Sequence, residues 1–261
     1  MNVLKRELAP ISSKAWAEID GRAREILNYY LSARKFVNVQ GPKGLDFTSV
    51  TEGRIQVHSD PILNYGIFKV KPLVEPRVSF ILSRWELDNI ERGAKDINFD
   101  ALDEAVKKMA LFEEKVIFQG LQEADISGIF DCSSHDVKVF GDSDEDILAS
   151  ISHGIMELER SIAPKPYTLV VSEDYWCKLS VLGRRFPLID QIKSLTGGEV
   201  VVSRSIEGAV LLPFDNDNIE FSIGEDFSIG YQEHSESEVK LFITETFTFR
   251  ILDESFIVIF K

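Results

Sequence analysis

The chain has 261 residues, 44% hydrophobic and 28% charged, a composition that suits one large folded domain or two small ones and sets disorder aside. Forty-three acidic against 29 basic residues leave a net charge of −14, which argues against nucleic-acid binding by the general surface. No stretch approaches the roughly 18 consecutive apolar residues of a membrane span, and the start MNVLKRELAPISSKAW has no apolar signal core, so a cytoplasmic protein is expected.

Residues 1 to 44 carry eight Lys or Arg against four Asp or Glu, a local +4 that leaves −18 for the remainder. Within them a helix is expected from Ser13 to Phe36, because Trp16, Ile19, Ala23, Ile26, Leu27, Tyr30 and Leu31 recur at three-to-four spacing behind Pro10, Ser12 and Ser13. Its basic polar face reads first as a solvated helix surface. From Gly41 to Leu82 the text is β-like, with strands around Phe47 to Val50, Ile55 to Val57 and Val78 to Leu82 broken by Gly53, Pro61, Pro72 and Pro76. So long an extended segment without a covering helix suggests an arm that finds its cover on a neighbouring subunit.

A spine helix is expected from Ala101 to Glu123, capped by Asp100, with Leu102, Val106, Met109, Phe112, Val116 and Leu121 on its apolar side. A third helix opens after Gly141, where Ser143, Asp144, Glu145 and Asp146 suit the positive N-terminal end. Then come a strand (Tyr167 to Ser172), helices (Glu173 to Leu182 and Pro187 to Leu195) and two strands (Glu199 to Ser203 and Ala209 to Pro213), an α/β middle third. The tail is all strand: Leu241 to Ile251 is expected to place Leu241, Ile243, Phe247, Phe249 and Ile251 on one face, and Phe256 to Phe260 to be buried on both. The whole is α+β.

Catalytic and metal signatures are missing. His58, His135, His153 and His234 fall in four segments without zinc spacing, and His153 with Glu157, one helical turn on, reads as a surface pair. Cys132 and Cys177 lack CxxC spacing and read as buried filler. No nucleophile elbow or phosphate loop occurs, and Asp215 to Asn218 departs from a calcium loop at Glu220 and Asp226, so it reads as a turn. No enzyme activity, metal or cofactor is expected; function must come from assembly or binding.

Five separated segments, LKRELAPISSKAWAEID with RAREIL, LSARKFVNVQGPKG, RWELDNIERG, SIGYQEH and LFITETFTFRI, together resemble the encapsulin (linocin-type) family of nanocompartment shell proteins, family 1, nearly from end to end. The resemblance implies the tailed-phage major capsid protein fold (Hong Kong 97-type). It divides the chain into an N-terminal interior helix (1–40), an extended β arm (41–83), a peripheral domain with the spine helix and closing strands (84–133 and 219–261) and an axial α/β domain (134–218). It also implies a subunit that assembles with itself, about 60 copies in the smallest icosahedral shell. The partner is a cargo enzyme brought in by a C-terminal targeting peptide, a ferritin-like iron-storage protein or a dye-decolourising-type haem peroxidase, in a context of iron storage or oxidative stress. Neither nucleic acid nor membrane is a partner, and the location is a cytoplasmic nanocompartment. A viral or prophage major capsid protein is the alternative. A secreted antimicrobial or protease fits worse, lacking a signal and a catalytic constellation.

Two sites follow from the resemblance. The loop Gly183, Arg184, Arg185 and Phe186 is placed around the fivefold axis, where five copies bring ten arginines together in an anion-favouring ring; a helix connection with locally paired arginines is the structural alternative. The stripe Leu27, Leu31, Arg34 and Asn38 is placed on the inner wall beside Ile229 and Tyr231, where apolar peptide side chains seat between the leucines and Ile229 and Arg34 takes an acid or carbonyl. On that expectation Leu31→Ala or Arg34→Ala yields intact, largely empty shells; plain core leucines are the structural alternative. Asn38 stands where many relatives place an acid, and Leu45 where an aromatic is common.

Overall fold

In the computed structural model, which describes residues 3–181 and 187–261, Ser12 opens helix α1 (Ser13–Tyr30) by accepting from the Ala15 N–H. Ala15, Trp16, Ile19 and Ala23 are buried on its inner side. The helix stops at Tyr30, short of the expected Phe36, because the Glu114 carboxylate takes the N–H groups of Ser32 and Ala33, both at 2.8 Å. Those donors are diverted from the helical ladder, and Ala33–Lys35 forms a separate 3₁₀ turn.

Strand β1 (Asn38–Gln40) follows, then a long hairpin of β2 (Ser49–Ser59) and β3 (Asn64–Pro72) that forms its own two-stranded sheet. Most of it is exposed, including Ile55, Val57, Ile67, Phe68 and Val70. The hairpin is thus uncovered within the subunit. The expected arm does not extend to β4 (Arg77–Ser83), whose Phe80 and Leu82 are buried because β4 pairs with β10 (Glu238–Thr244), which pairs in turn with β9 (Ser228–His234).

A short helix α2 (Arg84–Arg92) buries Leu87 and Ile90 and ends on the left-handed Gly93. The spine helix α3 (Asp100–Gln119) ends four residues before Glu123, and Gly120, with a φ of 78°, follows as its cap. Asp100 is not its cap: it lies inside the first turn, where its charge suits the helix dipole, and Phe99 holds the cap position without a side-chain bond. Its Leu102, Ala105, Val106 and Met109 pack with Ala15, Trp16, Ile19 and the β9–β10–β4 sheet.

The middle third follows the expected order: α4 (Asp144–Arg160), capped by Ser143, then β5 (Tyr167–Ser172), α5 (Glu173–Val181), α6 (Leu188–Thr196), β6 (Val200–Ser203) and β7 (Ala209–Pro213). With the closing strand β12 (Val258–Phe260) they form a four-stranded sheet in the order β12-β7-β5-β6, parallel only between β5 and β6. All three residues of β12 are buried, as the unbroken apolar run requires. Phe214 and Asp215, and Asp217 and Asn218, form turns.

The tail departs from the expected single strand. Leu241 to Ile251 splits into β10 and β11 (Phe247–Ile251), which belong to different sheets; β11 pairs with β8 (Ile219–Ile223), itself beside β1. Glu245 and Thr246 make the corner, with the Thr246 N–H donating to Glu225 and Gly224 donating to Thr246, both at 2.8 Å. Phe242, Thr244 and Thr248 are buried alongside the expected apolar face, so alternation misjudged a doubly covered segment. Cys132 is buried as expected, whereas Cys177 is exposed on α5.

Candidate functional site

Helix α1, the turn after it and the start of β9 enclose a groove of about 550 Å³. Its apolar wall is Ala23, Leu27, Leu31, Phe227, Ile229 and Ile243. The expected stripe is thus brought together at Leu27, Leu31, Arg34 and Ile229. Asn38 and Tyr231 are outside the lining: Asn38 donates to Asp215 at 3.0 Å, and the Tyr231 hydroxyl bonds His234 Nδ1 at 2.5 Å.

Arg34 differs most from expectation. It lies on the 3₁₀ turn, not on α1, and its guanidinium is occupied from within the subunit. Nε donates to both Glu113 oxygens at 2.9 and 3.0 Å, Nη1 to Asp226 at 2.8 Å, and Nη2 to Glu113 at 2.5 Å and Glu245 at 3.0 Å. The guanidinium also lies 4.8 Å from the Phe227 ring centre and 5.4 Å from that of Phe221. A side chain so fully engaged offers little to a ligand. The expected role of Arg34 as the groove's acid binder is corrected accordingly. Leu31 is likewise mostly buried, which makes it in part a core residue.

The groove's accessible cations are ones the sequence reading passed over. Arg6 is paired with Asp20 at 2.7 Å and stacked on Trp16 at 3.9 Å. Arg24 and Lys35 line the groove exposed and make no ion pair among the described residues. Both stand at positions where periodicity marks only a polar face, so no sequence signal separated them from other surface charges.

Behind the groove lie buried acids. Glu114 accepts from Ser32 N, Ala33 N, the Ser32 hydroxyl and, at 3.4 Å, the Ser203 hydroxyl; burial nonetheless pushes its carboxyl up to about 7. Burial raises Glu113 and Glu245 as well, with Arg34 opposing the shift.

The pore residues Gly183, Arg184, Arg185 and Phe186 lie outside the described residues. Among those described, no cluster of three His, Cys, Asp or Glu side chains is arranged to hold a metal, and no helix is long and apolar enough to cross a membrane. Glu157 pairs with Lys138 at 3.5 Å and Arg160 at 3.4 Å, while His153 is exposed.

Comparison with known proteins places this geometry. Residues 1–248 match the family described as "Encapsulating protein for peroxidase". The chain is 34% identical over 253 residues to the type 1 encapsulin shell protein of Mycolicibacterium paratuberculosis, covering 95% of each. It is 33% identical to that of Rhodospirillum rubrum (97% of this chain, 94% of the relative) and 32% identical to that of Brevibacterium linens (98% of each). Among solved structures it resembles the virus-like particle of Pyrococcus furiosus, with a TM-score of 0.72 at 15% identity over 94% of this chain and 98% of that one. It also resembles the capsid of Myoviridae phage XM1, with a TM-score of 0.59 at 9% identity over 88% and 92%. The fold is the tailed-phage capsid fold, α+β in class.

Proposed function

The chain belongs to the encapsulin family, and from that premise we propose that its cage is a closed icosahedral shell of about 60 copies holding a cargo enzyme in its interior. A cage-forming shell subunit is what the family and the capsid fold establish, and the role is structural rather than catalytic. The observation that carries the reading is the match to a type 1 encapsulin shell protein at 34% identity across 95% of both chains. The exposed hairpin 49–72 supports it: a two-stranded ribbon presenting Ile55, Val57, Ile67 and Phe68 to water calls for a neighbouring subunit as cover.

The cargo is proposed to be a ferritin-like iron-storage protein or a peroxidase, recruited through an extended targeting peptide. The peptide's apolar side chains seat against Leu27, Leu31, Phe227 and Ile229, and Arg24 and Lys35 take over the charge recognition first expected of Arg34. The ring of Gly183, Arg184, Arg185 and Phe186 is proposed to line a fivefold opening that favours anions. Arg184→Ser with Arg185→Ser should slow anion entry while leaving assembly intact; unchanged anion flux would reject that role.

Electron microscopy of the purified protein, with mass spectrometry of whatever co-purifies, tests the main reading. Closed hollow particles with an enzyme inside are expected. A monodisperse monomer or dimer sinks it, and packaged nucleic acid points instead to a genome-containing capsid.

A further inference from the structure

Behind the groove, four carboxylates gather around one guanidinium. Glu113 and Glu245 are both completely buried, and both meet the same nitrogen of Arg34, Nη2, at 2.5 and 3.0 Å. Asp226 takes Nη1, and Glu114 stands next to Glu113 on α3, held by Ser32, Ala33 and Ser203. Among the described residues no second cation pairs with any of these four acids. Oε1 of Glu245 has no hydrogen-bond partner there either. With Asp226 and Glu113 ionised, the guanidinium is already outnumbered, and a further ionised carboxylate at the Glu245 corner would lie in a dry site without compensation.

We propose that Glu113 and Glu245 share a single proton, and that losing it at alkaline pH loosens the joint between the N-terminal segment, the spine helix and the β10–β11 corner, giving the chain a pH-sensitive lock. Three parts of the fold meet here: Arg34 from the turn after α1, Glu113 from α3 and Glu245 from the corner between two sheets. The other charged groups facing the pair are Asp226 from the segment between β8 and β9 and Glu114 from α3. Glu225, the neighbour of Asp226, is occupied by the Ser228 hydroxyl at 2.9 Å. Burial is the main cause that raises both acids, and the charge of Glu113 raises Glu245 further, so the folded chain binds this proton more tightly than the unfolded one. Stability contributed by the pair is therefore complete below the ordinary glutamate range and is lost as pH rises through the raised value. An exposed, cation-paired glutamate has the opposite dependence.

The test is pH-dependent infrared difference spectroscopy and thermal unfolding of the full chain, wild type against Glu245→Gln, from about pH 5 to about pH 10. The amide keeps the shape of the protonated acid and has no proton to lose. The wild type should show a protonated carboxylic-acid carbonyl band at about pH 8 that E245Q lacks. Its unfolding constant should also rise with pH more steeply than that of E245Q, by up to about tenfold per pH unit, the signature of one proton per subunit. Parallel pH profiles, or spectra without that band, overturn the proposal. Should E245Q fail to fold, the wild-type band decides alone, and its absence at about pH 8 has the same force.

Discussion

Arg34 grips Glu113 with a two-pronged contact, Nε at 2.9 Å and Nη2 at 2.5 Å, that ties the turn after α1 to the middle of the spine helix. Only 18% of the Arg34 side chain is exposed and none of Glu113, so the pair lies in a low-dielectric site where removing one partner strands the other. Arg34→Ala should therefore destabilise the subunit by about 3 to 5 kcal/mol, and Arg34→Lys, which keeps the charge but loses the fork, by less. Denaturant unfolding checks this. Wild-type stability with empty shells would restore the ligand-binding role that the sequence alone suggested for Arg34.

Cargo loading and subunit stability should separate at residues that line the groove without holding the core. Lys35 is exposed and unpaired among the described residues, and Leu27 is only half-buried. Lys35→Glu should change stability by no more than about 0.5 kcal/mol, as an ordinary surface substitution does. Loading should still fall severalfold, more so when combined with Arg24→Glu or Leu27→Ala, because many weak sites in one shell multiply a modest loss of affinity. The ratio of co-purified partner to shell protein is the measurement. Particles of either double variant loaded at the wild-type ratio would place the partner's contact elsewhere.

The hairpin offers the reverse separation, assembly lost with folding kept. Phe68 is 72% exposed and faces Ile55 across the ribbon in register, with no third strand to cover either. A charge placed there meets water in the free subunit and a desolvated contact in the shell. Phe68→Glu should leave the unfolding midpoint of the dissociated subunit unchanged and shift sedimentation from large particles to small species. Particles assembling with wild-type yield would show that this face is not an inter-subunit contact.

Much of this fold is legible in residue spacing. The α/β middle third appears where expected because Pro164, Pro166, Pro187 and Gly197 punctuate segments whose apolar periods are short and unambiguous. The misread end of α1 and the split of the tail share one physical source, tertiary partners distant in sequence. Glu114 ends α1 from more than 80 positions away, and the Glu225–Thr246 contact breaks a strand that alternation reads as continuous. Helix α2 was missed because only Leu87 and Ile90 are buried on it, too few to set a period. At the site, the stripe Leu27, Leu31 and Ile229 converges on one groove. Which cation is spent and which is free depends on Glu113, Asp226 and Glu245, three acids in three separate segments that no local pattern connects.

Glu114 should impose a pH dependence of its own. Its carboxylate anchors the N–H groups of Ser32 and Ala33 at 2.8 Å each, and burial pushes its carboxyl up to about 7, against an ordinary value near 4.3. Because the folded value is the raised one, the folded state holds this proton more tightly than the unfolded state. The contribution is complete below about pH 4 and is lost as pH rises to about 7, a total of about 4 kcal/mol, beyond which it no longer varies. Glu114→Gln should remove that slope between about pH 5 and about pH 7. It should also lower stability at every pH by about 1 to 3 kcal/mol, since an amide nitrogen cannot accept from the Ser32 hydroxyl and leaves a buried donor unmatched. The two effects separate in a series of melting curves: a uniform drop with the wild-type slope retained would mean that Glu114 stays ionised throughout and that the titration belongs to another buried acid.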